Sequence, residues 1–163
     1  MSLQLNTYLG YRAYFENIAQ QHVEIQGFRY GDDKVIKTFN RSGLAKVFLH
    51  CLPYESARYT GPNIDQQYRR KRARFAILKT RVSDKFEDEN ADFIFCESIA
   101  LDIAARMIYR DKPNLNVILD INSLEHKPVE DTLGATKYYG IQTEVDVMDN
   151  PRMFLDVTKW NDL

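Results

Sequence analysis

The segment from Glu89 to Arg110, which includes ADFIFCESIALDIAARMIYR, constrains the fold more than any other part of the sequence. It contains no glycine or proline, it follows acidic Asp88, and it ends on basic Arg106 and Arg110, the charge order that a helix dipole favours. Its apolar side chains cover more than half of the helix circumference, so we expect a long helix sandwiched between other elements. The predicted core spine of this helix consists of Phe93, Ile94, Cys96, Ile99, Ala100, Ile103, Ala104 and Met107.

Four other segments carry patterns of β-strands. In Leu44–Leu52 the residues of one parity are apolar, which predicts a strand with one buried face. Residues 73–82 carry apolar side chains on both parities, so we expect both faces of that strand to be covered in its middle. Residues 115–122 and Tyr138–Met148 alternate apolar with polar residues, and each alternation predicts a half-buried strand.

The remaining segments complete an α, β, β, α, β, β order. Residues 5–23 place apolar side chains at three- and four-residue steps and predict an opening helix that Asn6 or Thr7 could cap. Residues 53–67 follow no sustained period, so Pro53 is expected to end the preceding strand and begin a long loop or hairpin tip. The order predicts an α+β fold, in which a mixed or antiparallel sheet of about four or more strands packs against one long helix and an N-terminal helix.

Composition indicates one folded domain, residues 1–150, followed by a C-terminal extension or arm, residues 151–163. Because 22 Lys and Arg residues balance 23 Asp and Glu residues, the chain lacks the overall positive charge of many nucleic-acid-binding proteins. It has no run of about 18 apolar residues and no basic leader before an apolar stretch, so a soluble intracellular protein is expected. Cys51 and Cys96 lie in apolar runs and are expected to be reduced core residues.

A basic run in QYRRKRARFAILKTRV raises the question of nucleic-acid binding. Guanidinium groups match phosphate oxygens, and dense positive charge releases counterions from DNA. Alternate residues of a strand, however, point to opposite faces, so Arg70, Arg72 and Arg74 should lie on one face and Arg69 and Lys71 on the other. We therefore expect the first three to serve a subunit contact or a lumen wall rather than specific DNA binding.

Two patterns could carry chemistry. Asp120, Glu125 and Lys127 faintly resemble the Asp…Glu-x-Lys arrangement of metal-dependent nucleases, but their spacing is too tight for the usual two-strand layout. A zinc site would have to draw on His50, Cys51, Cys96 and His126. The first two of these are neighbours on a strand and should point to opposite faces. We expect no catalytic residue, no metal site and no cofactor, and hence no enzyme.

The order of the elements resembles the tail terminator or tail-completion proteins of long-tailed phages and related contractile injection machines. The shared order is an opening helix, a Gly31-Asp32 turn, the strand Leu44–Leu52, a long loop, the strand Arg72–Val82, a long helix and two final strands. The resemblance implies a ring, usually of six copies, that caps the tail tube and joins it to the neck. The implied partners are further copies of the chain, the tail tube and neck or connector proteins, with DNA passing through the lumen without specific binding. The implied location is the virion tail or neck, after assembly in the host cytoplasm and with no membrane partner.

A ring of this kind needs self-complementary surfaces rather than catalytic groups. The candidate residues for subunit contact or the lumen are Arg70, Arg72, Arg74, Glu144 and Asp146, and those for a docking arm are Phe154, Leu155 and Trp160. The arm is expected to dock on a neighbouring subunit or an adjoining protein, and docking on its own subunit is the alternative. The alternatives for function are another neck component such as a head–tail connector, a tube-like protein, or a nucleic-acid-binding or nuclease-like accessory protein.

Overall fold

The computed structural model describes residues 5–31, 46–60, 68–80, 86–133 and 136–149. In chain order the elements are α1 (Tyr8–Gln21), β1 (Gly27–Tyr30), β2 (Val47–Thr60), β3 (Tyr68–Thr80), α2 (Phe86–Ala105), β4 (Ile118–Leu133) and β5 (Thr136–Asp149). A π-helical turn (Arg106–Asp111) and a 3-10 turn (Lys112–Asn114) connect α2 to β4. The predicted α+β fold is confirmed, but the predicted order is wrong because it lacks β1.

The strands form one mixed sheet in the order β1-β2-β3-β5-β4. Strand β1 runs parallel to β2, and the other neighbouring strands are antiparallel. The pairing of β3 with β5 is continuous from Arg69 opposite Asp149 to Thr80 opposite Tyr138. This unbroken central ladder fixes which side chains of β3 and β5 face each other across the strands.

Both helices pack on one face of the sheet, which we call the helix face, and the opposite face is called the second face. The core on the helix face contains fully buried side chains from α1, α2 and the strands, including Phe15, Leu49, Phe75 and Ile99. A smaller cluster on the second face consists of Phe48, Ala76, Leu78 and Tyr138, with Val129 packed against it. The prediction that the middle of β3 is covered on both faces is therefore confirmed.

Helix α1 begins where Thr7 provides the N-cap, its hydroxyl accepting a hydrogen bond from the backbone N–H of Gly10 at 3.0 Å. Its buried face carries Tyr11, Phe15 and Ile18 at three- and four-residue steps. The predicted opening helix and its cap at Thr7 are confirmed.

Helix α2 begins with acidic residues in its first turn and lies on the helix face of the sheet. Asp92 anchors its start through an ion pair with Lys79 of β3, with 2.5 Å between the carboxylate oxygen and Nζ. The spine prediction is confirmed for six buried residues: Cys96, Ile99, Ala100, Ile103, Ala104 and Met107. Ile94 and Leu101 are 66% and 51% exposed, so the predicted sandwiching of this helix is wrong and Ile94 does not belong to the core.

Strand β2 does not end at Pro53, as the sequence predicted, but continues to Thr60. Its pairing with β3 changes register between Leu52 and Glu55, and a proline that lacks an N–H is tolerated at such an irregularity. The prediction of one buried face is also wrong, because Phe48 and His50 are buried as well as Leu49. Of the predicted loop 53–67, residues 61–67 lie outside the described residues.

Strand β4 extends well beyond the predicted segment 115–122 and reaches Leu133. Its pairing with β5 shifts between Asp120 and Glu125, where β4 inserts extra residues that have no partners on β5. Strand β5 matches its prediction within two residues at each end. The shift in β4 determines which charged residues meet on the second face.

Candidate functional site

The basic run lies in the first half of β3, and its side chains divide between the two faces of the sheet as the alternation predicted. Arg70 and Arg72 contact carboxylates of β4 and β5 on the second face. Arg69 contacts Asp149, and Lys71 contacts the backbone of Asn6, on the helix face. The run is therefore two separate clusters rather than one continuous basic patch.

The pairing of β4 with β5 brings like charges together on the second face. Asp120 lies opposite Asp146, and Glu125 lies opposite Glu144. Carboxylates placed directly opposite each other on neighbouring strands repel, so this arrangement requires cations nearby. The cations come from β3 and from Lys127, and we call the group of seven residues the second-face network: Arg70, Arg72, Asp120, Glu125, Lys127, Glu144 and Asp146.

Asp146 is the centre of the second-face network. Its two carboxylate oxygens accept hydrogen bonds from Nε of Arg70 at 2.6 Å and from Nε of Arg72 at 3.1 Å. Each guanidinium also reaches a second carboxylate, Arg70 that of Asp120 at 3.0 Å and Arg72 that of Glu144 at 3.2 Å. The hydrogen bond to Asp146 raises the pKa of Arg72, and each of the two guanidiniums is bound to two carboxylates.

Burial is unequal within the second-face network. The side chains of Asp146 and Glu144 are 7% and 9% exposed, whereas those of Arg70 and Arg72 are each 40% exposed. The arginines therefore lie over the carboxylates and separate them from solvent. Lys127 adds a third cation, 3.1 Å from Glu125 and 3.7 Å from Glu144. Three cations thus face four carboxylates, and the network as a whole is not positively charged.

Arg74 lies apart from this network. Its Nη1 is 3.8 Å from Oε1 of Glu55, and its Nε is buried without a hydrogen-bond partner. Its backbone N–H donates to the hydroxyl of Tyr11, and the same hydroxyl donates to its carbonyl oxygen. The structure therefore brings together four of the five candidate contact residues, Arg70, Arg72, Glu144 and Asp146, and leaves Arg74 beside them.

The cluster on the helix face joins the two ends of the described chain. Arg69 binds the carboxylate of Asp149 at 3.0 Å through Nε, and its Nη2 donates to the carbonyl oxygen of Asn6 at 3.3 Å. Lys71 donates to the same carbonyl at 2.7 Å and lies over the ring of Tyr54. Burial, followed by the charge of Arg69, lowers the pKa of Lys71. This pair of cations has a structural task, and nothing in the spacing of the sequence indicated Asp149 or Asn6 as its partners.

The nuclease-like residues are not arranged for a metal ion. Asp120 is bound to Arg70, and Glu125 is bound to Lys127, so the carboxylates already have cationic partners. Among the described residues there is no group of three or more His, Cys, Asp or Glu side chains that could hold a metal.

The four zinc-ligand candidates are likewise engaged separately. His50 Nε2 lies 2.9 Å from the carbonyl oxygen of Gly31, and His126 Nδ1 lies 2.9 Å from the hydroxyl of Thr143. Cys51 and Cys96 are free thiols in the core, as predicted, and burial raises the pKa of each to about 12. A thiol with such a pKa is neutral near pH 7 and is a poor nucleophile.

No helix in the described part of the chain is long and apolar enough to cross a membrane. The docking-arm candidates Phe154, Leu155 and Trp160 lie outside the described residues. Comparison with protein-family models and with curated proteins finds no match for this chain.

Proposed function

We propose that this chain is a structural subunit of a ring that terminates the tail tube of a long-tailed phage or a related contractile injection machine and joins the tube to the neck. The observation that carries the proposal is the composition of the second-face network. Arginines in a basic run are the feature of this sequence most typical of DNA-binding proteins. In the folded chain, Arg70 and Arg72 are bound to the buried carboxylate of Asp146. This engagement of Arg70 and Arg72 supports a structural role for them rather than phosphate binding.

The charge balance of the second-face network is suitable for the wall of a channel through which DNA passes. A channel that releases DNA must not hold phosphates, because each phosphate neutralised by a free cation strengthens binding. In the second-face network three cations face four carboxylates, and Asp146 occupies two guanidiniums at once. Phosphates approaching this surface would meet arginines whose hydrogen bonds are already directed at carboxylates, and would gain little from binding there.

The arrangement of elements also supports the proposal. One helix precedes three strands, a long helix follows, and two strands end the domain, which is the order implied by the tail terminator resemblance with β1 added. Strands β2 and β3 contain 14 and 13 residues, longer than the usual strand of about 5–6 residues. A long paired hairpin of this kind gives a subunit extended surface for contact with further copies.

Sedimentation velocity of the purified protein over a range of concentrations tests the proposal. We expect a discrete species of about six times the 19.1 kDa monomer mass that grows with concentration at about 0.15 M salt. The same samples with short duplex DNA should show no bound DNA. A protein that stays monomeric at every concentration would contradict the ring.

A second part of the experiment distinguishes the proposed ring from the nucleic-acid-binding alternative. Arg70→Gln together with Arg72→Gln removes both arginines of the network, and Arg12→Gln removes an exposed arginine from a surface ion pair on α1 as the matched control. If the unaltered protein binds DNA below micromolar concentration at about 0.15 M salt and only the double variant loses that binding, the assignment of the run to architecture is wrong.

A further inference from the structure

The second face of the sheet contains an open cavity of about 160 Å³, which we call the second-face cavity. Its floor is Ala76 of β3, which pairs with His50 of β2 on one side and with Gln142 of β5 on the other. Because alanine carries only a methyl group between two longer side chains, the middle of this row is left open. The apolar walls of the cavity come from Leu52, Leu78 and Val129.

The size and lining of the second-face cavity fit an aromatic ring that carries a hydroxyl group. A cavity of about 150 Å³ can hold one benzene ring, so about 160 Å³ is sufficient for a single ring. Gln142 donates from Nε2 to Oε1 of Glu144 at 2.8 Å. Its side-chain oxygen therefore points away from Glu144, and in the described part of the chain that oxygen accepts no hydrogen bond. Apolar walls with one acceptor match the phenol group of a tyrosine.

A tyrosine of this chain projects from the opposite side of the subunit. Tyr109 lies in the π-helical turn after α2, two residues after Met107, which is buried in the core on the helix face. Two residues are about half a turn of a helix, so Tyr109 points away from the sheet. It is 83% exposed, and within the described ranges its ring packs on no other ring and its hydroxyl makes no hydrogen bond.

The other tyrosines that are more than half exposed already have contacts within their own chain. Tyr8 packs edge-on against Tyr54, with 5.9 Å between the ring centroids. Tyr59 lies against the guanidinium of Arg69. Of the tyrosines that the structure describes, Tyr109 is therefore the one most available to a second copy of the chain.

The charges beside Tyr109 and beside the second-face cavity are complementary. Arg110 and Lys112 are both exposed, and neither forms an ion pair with a described residue. Glu130 borders the cavity, is exposed, and likewise has no cationic partner in the described part of the chain. A tyrosine seated in the cavity would bring these opposite charges close to each other. Charge pairs of this kind mainly fix the orientation of an interface and speed association.

We propose that Tyr109 of one copy inserts into the second-face cavity of a neighbouring copy. The inference rests on the proposed ring and names the contact that joins its subunits. Because Tyr109 and the cavity lie on opposite sides of one subunit, the contact is head-to-tail, and it closes into a ring when the rotation between neighbours allows closure. Ala76 lies six residues from Arg70, roughly 20 Å along β3, so a neighbour seated over Ala76 leaves Arg70 facing the channel.

Two variants that each lack one half of the contact test it directly. Tyr109→Ser removes the inserted ring, and Ala76→Leu fills the cavity. At concentrations where the unaltered protein assembles, neither variant should assemble alone. An equal mixture should give a dimer of twice the 19.1 kDa monomer mass and nothing larger, because each pair can form only one intact contact. A mixture that stays monomeric overturns the inference, and so does either variant that assembles alone as the unaltered protein does.

Controls separate this contact from a general effect on folding or solubility. Both substitutions should leave monomer melting no lower, because Tyr109 is exposed and the new leucine enters open space. If Ala76→Leu melts below the unaltered protein, Val129→Trp fills the same cavity from β4 and takes its place in the mixture. Leu9→Ser alters an apolar residue of α1 that is 81% exposed and should leave assembly unchanged. Tyr109→Ser should raise the concentration needed for assembly by at least about tenfold, and equal effects of these two variants overturn the inference.

A free phenol distinguishes a second copy from a small aromatic molecule as the occupant. Added p-cresol should shift the backbone amide NMR signals of Ala76, Leu78 and Val129 in the Tyr109→Ser variant, and unchanged signals overturn the fit of a ring to the cavity. Shifted signals together with a mixture that stays monomeric assign the cavity to a small molecule and overturn the contact between copies. A ring that forms normally from Tyr109→Ser overturns the contact while the ring itself stands. An unaltered chain that never forms a ring overturns the proposed function instead.

Discussion

Replacing Asp146 by asparagine removes the centre of the second-face network without changing the size of the side chain. Two charge-assisted hydrogen bonds are lost, one to Arg70 and one to Arg72, and the new amide group can place a donor against a guanidinium donor. A buried hydrogen bond to a charged group is worth about 1.5–3 kcal/mol. Because both arginine side chains are 40% exposed, solvent screening reduces each loss to about 1 kcal/mol.

The expected cost of Asp146→Asn is therefore about 2 kcal/mol out of a total stability of about 5–15 kcal/mol. Urea denaturation at pH 7, with the sample kept monomeric, should show a midpoint lower by about 1 M and an unchanged slope. Asp120→Asn is the matched control, since that carboxylate is 25% exposed, is bound by one arginine rather than two, and accepts a backbone N–H from Asn122 that the asparagine amide oxygen can still accept, and it should cost about 0.5 kcal/mol. Equal costs for the two variants would refute the reasoning.

Four further predictions concern the buried core. Ile99→Asp places a carboxylate at a position with no exposure and should unfold the monomer, whereas Leu101→Asp at an exposed position should leave its circular dichroism melting curve unchanged. Gly140→Ala drives a methyl group into the carbonyl oxygen of Ile77 across the β3–β5 ladder and should lower the urea-derived stability by about 2–3 kcal/mol, and unchanged stability would show that the strands can separate there. Burial raises the pKa of Cys51 and Cys96 from 9.0 to about 12, so their contribution to stability is complete below pH 9 and is lost as the pH rises through about 12. Urea midpoints should therefore fall between pH 9 and 11, and a rising midpoint would contradict that sign. At pH 8 neither thiol should react with a disulfide reagent until the chain unfolds, and rapid labelling of the native protein would contradict their burial.

The long periodic segments were predictable because their patterns reflect burial directly. The helix near Ile99 and the strand near Ile141 both follow from spacing alone, and the structure confirms them. Spacing did not distinguish a helix held between layers from one with apolar residues exposed on its outer side, because Leu101 and Ile99 are both strongly apolar although only Ile99 is buried. That distinction depends on what covers the outer side of α2, and such information is not local to the helix.

The elements that were missed depend on pairing rather than on pattern. Strand β1 is four residues long and lies in a glycine-containing, turn-rich passage, and its identity as a strand comes from its parallel pairing with β2. Pro53 normally marks the end of a strand, yet β2 passes it because the ladder is already irregular there.

Only part of the second-face network could be predicted, again because the rest depends on strand pairing. Alternation along β3 correctly divided the arginines between two faces, and alternation along β5 put Glu144 and Asp146 together. The register shift in β4 decides that Asp120 meets Asp146, and a shift of this kind leaves no simple signal in the sequence. The neutralisation of Arg70 and Arg72 could therefore be established only from the folded chain.

Electron microscopy of the assembled protein tests the central claim most directly. Images of particles isolated at the highest assembled mass should give end-on class averages that are closed rings with a central channel and six-fold symmetry. Removal of residues 151–163 should leave few such rings under the same conditions. Monomers alone at all concentrations, or open filaments of indefinite length, would contradict the account that this chain forms a closed terminating ring.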